Sequence, residues 1–510
     1  MSVLSSAVLD PASPRRLFGP TLVGGFFAAF CLWTTWFITH LPILNLDQQI
    51  ALPILLAVWS IALAIPGFMV GRCDGWKVGL GSGIVSALAG LLFLGSKLTE
   101  KSVAAHDAMQ AATLKPNAGL IMLGFIALGA TLGAVAGGIA GTVRGQHDSS
   151  RTPWMQRFAL VAVLCTSPLL FIGGLVTSTQ SGMAVPDWPN SYGTNMFFYP
   201  LGNRMALDQT VTSQPDEWKK LLSKSQIAEA EKLTGDERAQ FIAQSAQTKI
   251  YYEHTHRLFG TLVGLVTLIL WLWALLTPTS RGVRIFTTVV FATVLAQGIL
   301  GGIRVLQGSV EVEADNRWYS MLHGILGQAT FATICACAIY LSPRFRSWNP
   351  LTQLDGSRVM RAFATAALHT TLLQLILGAL YRHTRSTHAL MAHIVFAFLV
   401  AALVGFVGFK AMAYGKKHAT TTTSLPALLS PLGMLMGLVV ALQFLLGWVA
   451  FLVGGGAEAV TVTQALTRTA HQANGAAMLG LVTVVYVIAL RLHNKKLAAT
   501  SPTSPVPVTA

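Results

Sequence analysis

Twelve apolar runs, each long enough to cross about 30 Å of hydrocarbon, constrain this chain more than any other feature. They fall at about 19–40, 50–71, 78–96, 119–143, 157–177, 254–276, 284–305, 318–341, 360–381, 388–411, 427–453 and 471–490. A segment surrounded by lipid must satisfy its backbone polar groups internally, so a succession of such runs folds as helices. The expected class is an all-α polytopic membrane protein with about 12 transmembrane helices. Of the 510 residues, 53% are hydrophobic and 11% charged, and the mean hydropathy is +0.58. Those values exclude a water-soluble domain of this length. The net charge of +15 comes from Lys and Arg lying mostly in short segments between runs. There they set topology, so the expected partner is membrane lipid and not nucleic acid. The first run follows Arg15 and Arg16 without a small-residue cleavage site, and reads as a retained helix. The cysteines at 31, 73, 165, 335 and 337 have no metal-type spacing, and Cys335 and Cys337 face different directions on a helix.

Basic residues recur at every second loop: Arg15/Arg16, Arg72/Lys77, Arg144/Arg151/Arg157, Arg281/Arg284, Arg344/Arg346/Arg358/Arg361, Lys416/Lys417 and Arg491/Lys495/Lys496. The positive-inside rule then puts both termini in the cytoplasm of a bacterial-type inner (plasma) membrane. The loop with Lys97, Lys101 and Lys115 is equivocal, while segments 178–253, 306–317, 382–387 and 454–470 lie outside.

Four histidines open apolar runs near that outer face, each with a small residue four positions on: His256 with Gly260, His323 with Gly327, His393 with Ala397 and His471 with Gly475. A step of four keeps the small residue on the histidine's own helix face and leaves flat space beside the imidazole. A lone histidine at a helix mouth is usually satisfied by water or a loop carbonyl. Four at equivalent positions on one side point instead to two bis-histidine hemes, because no Cys or carboxylate accompanies them as zinc would require. His254 lies two residues from His256 and points elsewhere; His369, His383 and His388 are candidate outer-rim groups to which no role is assigned.

A polar stretch, RGQHDSSRTPWMQ, divides the chain near residues 144–156. Residues 1–150 form an N-terminal four-helix membrane region whose Gly and Ala suit close helix packing. The eight helices that follow carry a repeat: AQGILGG (296–302), LQLILGA (373–379) and LQFLLGW (442–448) share Gln, then Leu-Gly three and four residues later. They are expected to form two pseudo-repeated four-helix bundles, each with a histidine pair. The first occupies 151–383, its substrate half ending near 350, and the second 351–495, with a disordered tail at 496–510. Within the outer loop 178–253, the charged stretch from Asp216 to Arg238 reads as a surface amphipathic helix.

Glu253 breaks the symmetry. It precedes His256 by three residues, on the same helix face, whereas Leu390 and Arg468 stand at the equivalent positions before His393 and His471. It reads either as a solvated acid near a helix N-terminus or as an unpaired carboxylate serving as a base or stabilising a developing cation.

Here the sequence resembles a known family. EHTHRLFGTLVG is similar to the Glu-x-x-His-Arg signature of heme A synthases, and GGLVTSTQSGMAVPDWPNSYG (173–193) resembles their first outer-loop motif. The likeness covers about residues 157–492. It implies an oxidoreductase that converts the methyl of heme O to the formyl of heme A for terminal oxidases, by two hydroxylations followed by loss of water. It implies that His256 and His323 hold the substrate heme, that Glu253 is the catalytic carboxylate, and that His393 and His471 hold a resident heme b. Arg257, Arg304 and Arg382 become candidates for pairing heme propionates, against a role as interface anchors. Implied partners are heme O, a heme O synthase and a membrane or ferredoxin-type electron-transfer protein, with a homo-oligomer also open. The chain departs from the pattern in two ways: residues 178–253 lack the cysteine pair of some bacterial members, and no Arg follows the Gly-Gly-x-Thr step. The N-terminal helices fall outside the resemblance and read as a scaffold, or else as a fused subunit. A diheme b-type electron-transfer cytochrome would use the same histidines, but Glu253 argues against it; a 12-helix transporter leaves the histidine repeat unexplained.

Overall fold

The structure is a computed structural model describing residues 15–44, 46–100, 113–192, 194–199, 219–222, 224–307, 313–349, 354–454 and 461–493. Among the described residues twelve helices are long and apolar enough to cross a membrane, as the apolar runs require. In chain order they are α1 (Arg15–Thr39), α2 (Gln48–Val70), α3 (Gly75–Leu94), α4 (Ala118–Arg144), α5 (Trp154–Ser178), α6 (Gly235–Leu276), α7 (Arg281–Gln307), α8 (Glu313–Tyr340), α9 (Ser357–Thr384), α10 (Thr387–His418), α11 (Leu429–Val453) and α12 (Val462–Leu492). Two antiparallel pairs of two-residue strands, Thr99–Glu100 with Thr113–Leu114 and Asn190–Ser191 with Thr194–Asn195, occur in connecting segments. The expected tail at 496–510 lies outside the described residues.

The chain divides into two compact units, one of residues 1–319 with 454–469 and one of 320–453 with 470–510. In the first, α3 and α4 pack through facing glycines at a spacing of four. Gly71, Gly75, Gly79 and Gly83 oppose Gly141, Gly137, Gly133 and Gly129, so closely that a Cβ on Gly79 would strike the carbonyl of Gly133. In lipid no hydrophobic force draws helices together, and only small residues bring two backbones into van der Waals contact. At the end of this ladder Gly71 and Gly145 take φ of +80° and +76°, and Arg72 N–H donates to the Gly145 carbonyl at 2.8 Å. Arg16 and Asp74 form an ion pair between α1 and the start of α3.

The N-terminal helices reach α6 through an aromatic seam. Trp33 and Phe37 of α1 meet Phe259 edge-on at centroid distances of 5.5 and 6.1 Å, and the Tyr251 hydroxyl donates to the Phe37 carbonyl at 2.9 Å. This seam backs the helix that carries Glu253 and His256.

The charged stretch of the outer loop is not one helix. Residues 216–218 lie outside the described residues; beyond them come a 3₁₀ turn at Lys219–Leu221 and a short helix at Lys224–Ala230. The chain breaks at Thr234, which is extended, and at Gly235, with φ +53°. Asp236 and Glu237 then restart it in the first turn of α6, where the helix dipole favours acids. That helix runs unbroken for 42 residues, so the outer loop ends near 234 and not at 253. Two of the other histidine helices also begin early, at Glu313 and Val462, whereas α10 begins at Thr387, where its apolar run starts. Polar turns extend a helix beyond its apolar stretch, which an apolar run cannot register.

The second unit has its own core. Val400, Val404, Val407 and Ala411 of α10 meet Met436 and Val440 of α11 and Val482, Val485 and Ile488 of α12, all buried. Gly408 and Gly433 again bring two backbones together.

Candidate functional site

In the first unit the site is built where the outer loop is tied to α6. Residues four apart on a helix share a face, and Arg257 Nη2 donates to Glu253 Oε1 at 2.8 Å with both side chains buried. The loop supplies the rest. Val185 N–H donates to Glu253 Oε2 at 2.8 Å. Arg257 Nη2 reaches the Val185 carbonyl at 2.6 Å, and Nη1 reaches those of Asp187 at 2.5 Å and Asn190 at 3.0 Å. The solvated-acid reading of Glu253 is thereby corrected, and the carboxylate, expected to be unpaired, is paired. At 4% exposure it is not solvated, it stands far inside α6, and it is not unpaired. The reason is tertiary: the partner at position 257 was visible on the helix, but the loop backbone that buries the pair was not.

Other side chains hold the same loop. Tyr192 N–H donates to Asp187 Oδ1 at 2.7 Å, and its hydroxyl donates to the Ala184 carbonyl. Burial first, then the neighbouring Tyr199, Glu253 and Asp187, push the Tyr192 phenol well above its ordinary value, so the hydroxyl keeps the proton it donates. His254, buried, turns away from His256 to the Ser191 hydroxyl, 3.0 Å from its Nδ1, with the Tyr199 ring 5.0 Å off. Trp188 packs on Gly302, and the Arg304 guanidinium rests against Gly182. Arg304 lies within electrostatic reach of Glu253, and its buried Nε has no hydrogen-bond partner among the described residues. Glu253 and Asp187 supply two carboxylates to this cluster against the guanidiniums of Arg257 and Arg304.

His256 is half-buried. A Cβ on Gly173 of α5 would lie 3.2 Å from its Nε2, whereas one on Gly260 would meet nothing within 4 Å. His256 belongs to the first unit and His323 to the second, and their pairing rests on the sequence repeat.

The second unit brings His393 and His471 together, with ring centroids 6.3 Å apart and planes at 87°. Two imidazoles bonded through nitrogen to one metal ion at about 2.0 Å, with ring centres about 1.1 Å behind each donor, would stand about 6.2 Å apart. His393 Nδ1 donates to the Gln374 carbonyl at 3.2 Å, and Gln374 Nε2 donates to the His393 carbonyl at 2.9 Å. An imidazole so held keeps Nε2 as its free lone pair, the usual second-shell device for a metal ligand. On the other side Asn474 Nδ2 donates to Gln443 Oε1 at 2.9 Å and to the Val439 carbonyl at 3.0 Å. This turns the Gln443 amide toward His471, Nε2 to Nε2 at 3.4 Å. Among the described residues no group of three or more His, Cys, Asp or Glu could hold a metal ion. A facing pair of imidazoles with no further donor fits a macrocycle-held iron and does not fit zinc.

The glycines of the repeat explain themselves here. Gly378 of α9 would set a Cβ 2.8 Å from the His393 ring, and Gly447 of α11 one 3.1 Å from that of His471. Gly173 does the same for His256. In each case a glycine on the preceding helix makes room for the imidazole. The small residue one turn after the histidine works differently in the second unit, where a Cβ on Gly475 would meet Gln443 at 3.0 Å. Gln374, Gln443 and the glycines were legible as a repeat, but their role needed the facing helix.

Fold and site together define an all-α polytopic membrane protein with a histidine pair in one unit and a buried Glu-Arg-His constellation in the other. Residues 156–397 match the family described as cytochrome oxidase assembly protein. Through this region the chain is similar to heme A synthases. A heme A synthase of Bartonella tribocorum is 23% identical over 225 residues, 43% of this chain and 55% of that protein. One of Ehrlichia ruminantium (strain Gardel) is 25% identical over 166 residues, 32% and 42% of the respective chains. The chain spans about half the length of the curated relatives it matches. The matched region contains Glu253, His256, Arg257, Arg304, His323, Arg382 and His393 and ends before His471.

Proposed function

We propose that this protein oxidises the methyl group of heme O to the formyl group of heme A. The observation that carries the reading is the buried Glu253–Arg257 pair one turn from His256, which has no counterpart before His393 or His471. A diheme electron-transfer cytochrome has no need of such asymmetry. The conversion is two successive hydroxylations of the carbon, each a two-electron oxidation, followed by loss of one water. With water as the oxygen source, each methyl gives up four electrons and four protons. His393 and His471 would hold a resident heme b, which would supply a one-electron relay toward a membrane or ferredoxin-type partner. His256 holds the substrate iron, with His323 assigned as its second ligand from the repeat. Glu253, fixed by two donors, stabilises positive charge developing beside the methyl carbon. Among the candidate propionate partners Arg304 is the best supported, since Arg257 already serves three loop carbonyls and Glu253. Arg382, at the end of α9, keeps its candidacy in the second unit.

Pigments extracted from protein purified from cells that make heme O test this reading. Heme b together with heme O or heme A is expected. Heme b alone would return the chain to the cytochromes, and no heme at all to the transporters. The distribution of Lys and Arg supports an orientation with both termini cytoplasmic in the inner membrane. A reporter inserted within residues 195–245 should then read the exterior and one at the C-terminus the cytoplasm; the reverse pattern removes this orientation.

A further inference from the structure

At the opposite end of α5 from His256 a cavity of about 120 Å³ opens where α2, α4 and α5 end, lined by Phe68, Met69, Arg144, His147, Thr152 and Arg157. Gly173 and Arg157 lie on α5 about 24 Å apart at 1.5 Å per residue, close to the thickness of the hydrocarbon layer. The cavity is therefore at the opposite membrane surface from the chemistry, on the side that the basic loops mark as cytoplasmic, and it is far too small for a macrocycle.

Its polar lining is cationic and hydroxylic. The Arg144 guanidinium lies over the Phe68 ring at 5.0 Å, and Arg157 lies 5.6 Å from the Trp154 ring with Nη1 3.7 Å from Met69 Sδ. Among the described residues neither guanidinium makes an ion pair, although Arg16 and Lys77 of the same unit do. Two guanidiniums held against aromatic rings and a thioether, with a histidine and a threonine beside them, have charge to offer and no carboxylate using it. Exposed apolar side chains run from this cavity toward the membrane centre: Ile65 and Phe68 on α2, Ile139 and Val143 on α4, and Leu160 and Leu164 on α5. A phosphate group bonded to two Arg forks, with apolar tracks leading away from it, is how an anionic phospholipid would sit.

We propose that this cavity binds the phosphate headgroup of an anionic phospholipid of the inner leaflet, its acyl chains lying along α2, α4 and α5. The lipid would bridge the N-terminal helices to the helix that packs Gly173 against His256, a role for a region that the family match does not cover.

The test uses the full chain, purified and delipidated in detergent, with dioleoyl-phosphatidylglycerol, dioleoyl-phosphatidylcholine and inorganic phosphate as separate probes, and counts bound lipid by native mass spectrometry. Phosphatidylglycerol should be retained in preference to phosphatidylcholine. The double variant Arg144→Gln/Arg157→Gln should weaken its binding by about twenty-five-fold, two charges at the membrane surface each contributing a factor of about five. Arg144→Lys/Arg157→Lys, which keeps the charge and tests the case where the first variant misfolds, should stay within a few-fold of wild type. Arg281→Gln/Arg284→Gln, removing two charges from another loop of the same side, should change nothing. Equal retention of phosphatidylcholine, undiminished phosphatidylglycerol binding in the first variant, or equal loss in the Arg281/Arg284 control overturns the proposal. Inorganic phosphate competing with the lipid at equal concentration would also overturn it, by making the site one for a free anion.

Discussion

Replacing His393 or His471 by alanine is expected to abolish the low-spin heme b spectrum of the purified protein and to lower its heme b content by tenfold or more. The two imidazole centroids stand 6.3 Å apart, a separation that would let both bond one iron, so under the proposed assignment each substitution would remove one of the two residues that hold it. Neither histidine makes a hydrogen bond that the unit's core depends on, since that core lies in the Val400, Val404 and Val482 layers. Loss of pigment should therefore come without loss of the protein from the membrane, which quantitative immunodetection of membrane fractions checks. A double variant with unchanged heme b content and spectrum would end the assignment of both ligands.

Glu253→Gln should drop heme A formation by about 10² to 10³, the range typical when one group aimed at developing charge is removed. Heme O or a partly oxidised product should accumulate, read as the ratio of hemes O and A in cells that also make heme O. The structure adds a second effect to this substitution. Glu253 neutralises Arg257 in a buried pair, and breaking such a pair from one side typically costs about 3–5 kcal/mol because the remaining charge stays buried. Lost activity could then mean a loosened loop and no direct role in chemistry. The double variant Glu253→Gln/Arg257→Gln separates the two cases by removing both charges together. If Glu253 serves only to hold Arg257 and the loop, the double variant should recover heme A relative to the single one. If it acts on the substrate, stability should return while heme A stays absent. Recovery of the wild-type ratio would strip Glu253 of its catalytic assignment.

Particular residues mark how far the sequence could be read. Lipid allows the backbone few conformations, so runs of apolar residues translate almost directly into helices, and all twelve were legible. The repeat of Gln and Gly, the equivalence of His393 and His471 and the asymmetry of Glu253 were legible too, because they are properties of spacing along one helix. Helix starts were not, since α6 begins at Gly235, well ahead of its apolar stretch. The loop 179–192 carried its motif in plain view, yet its part in the site was hidden: it acts through the Val185 N–H and the carbonyls of Val185, Asp187 and Asn190, and backbone groups are the same in every residue.

By itself, then, the amino-acid order determined the class of fold and the number of spans, which follow from hydrophobicity, and it offered a family resemblance and a set of candidate heme ligands, which follow from motifs and spacing along a single helix. Only the tertiary structure decided which of those residues meet. It set His393 against His471, placed Gly378 and Gly447 beside the imidazoles of the following helices, and buried Glu253 against an arginine instead of leaving it in water. The physical reason is that a contact between helices depends on the close approach of two backbones and on the loop between them, and no spacing along either helix records the distance to the other.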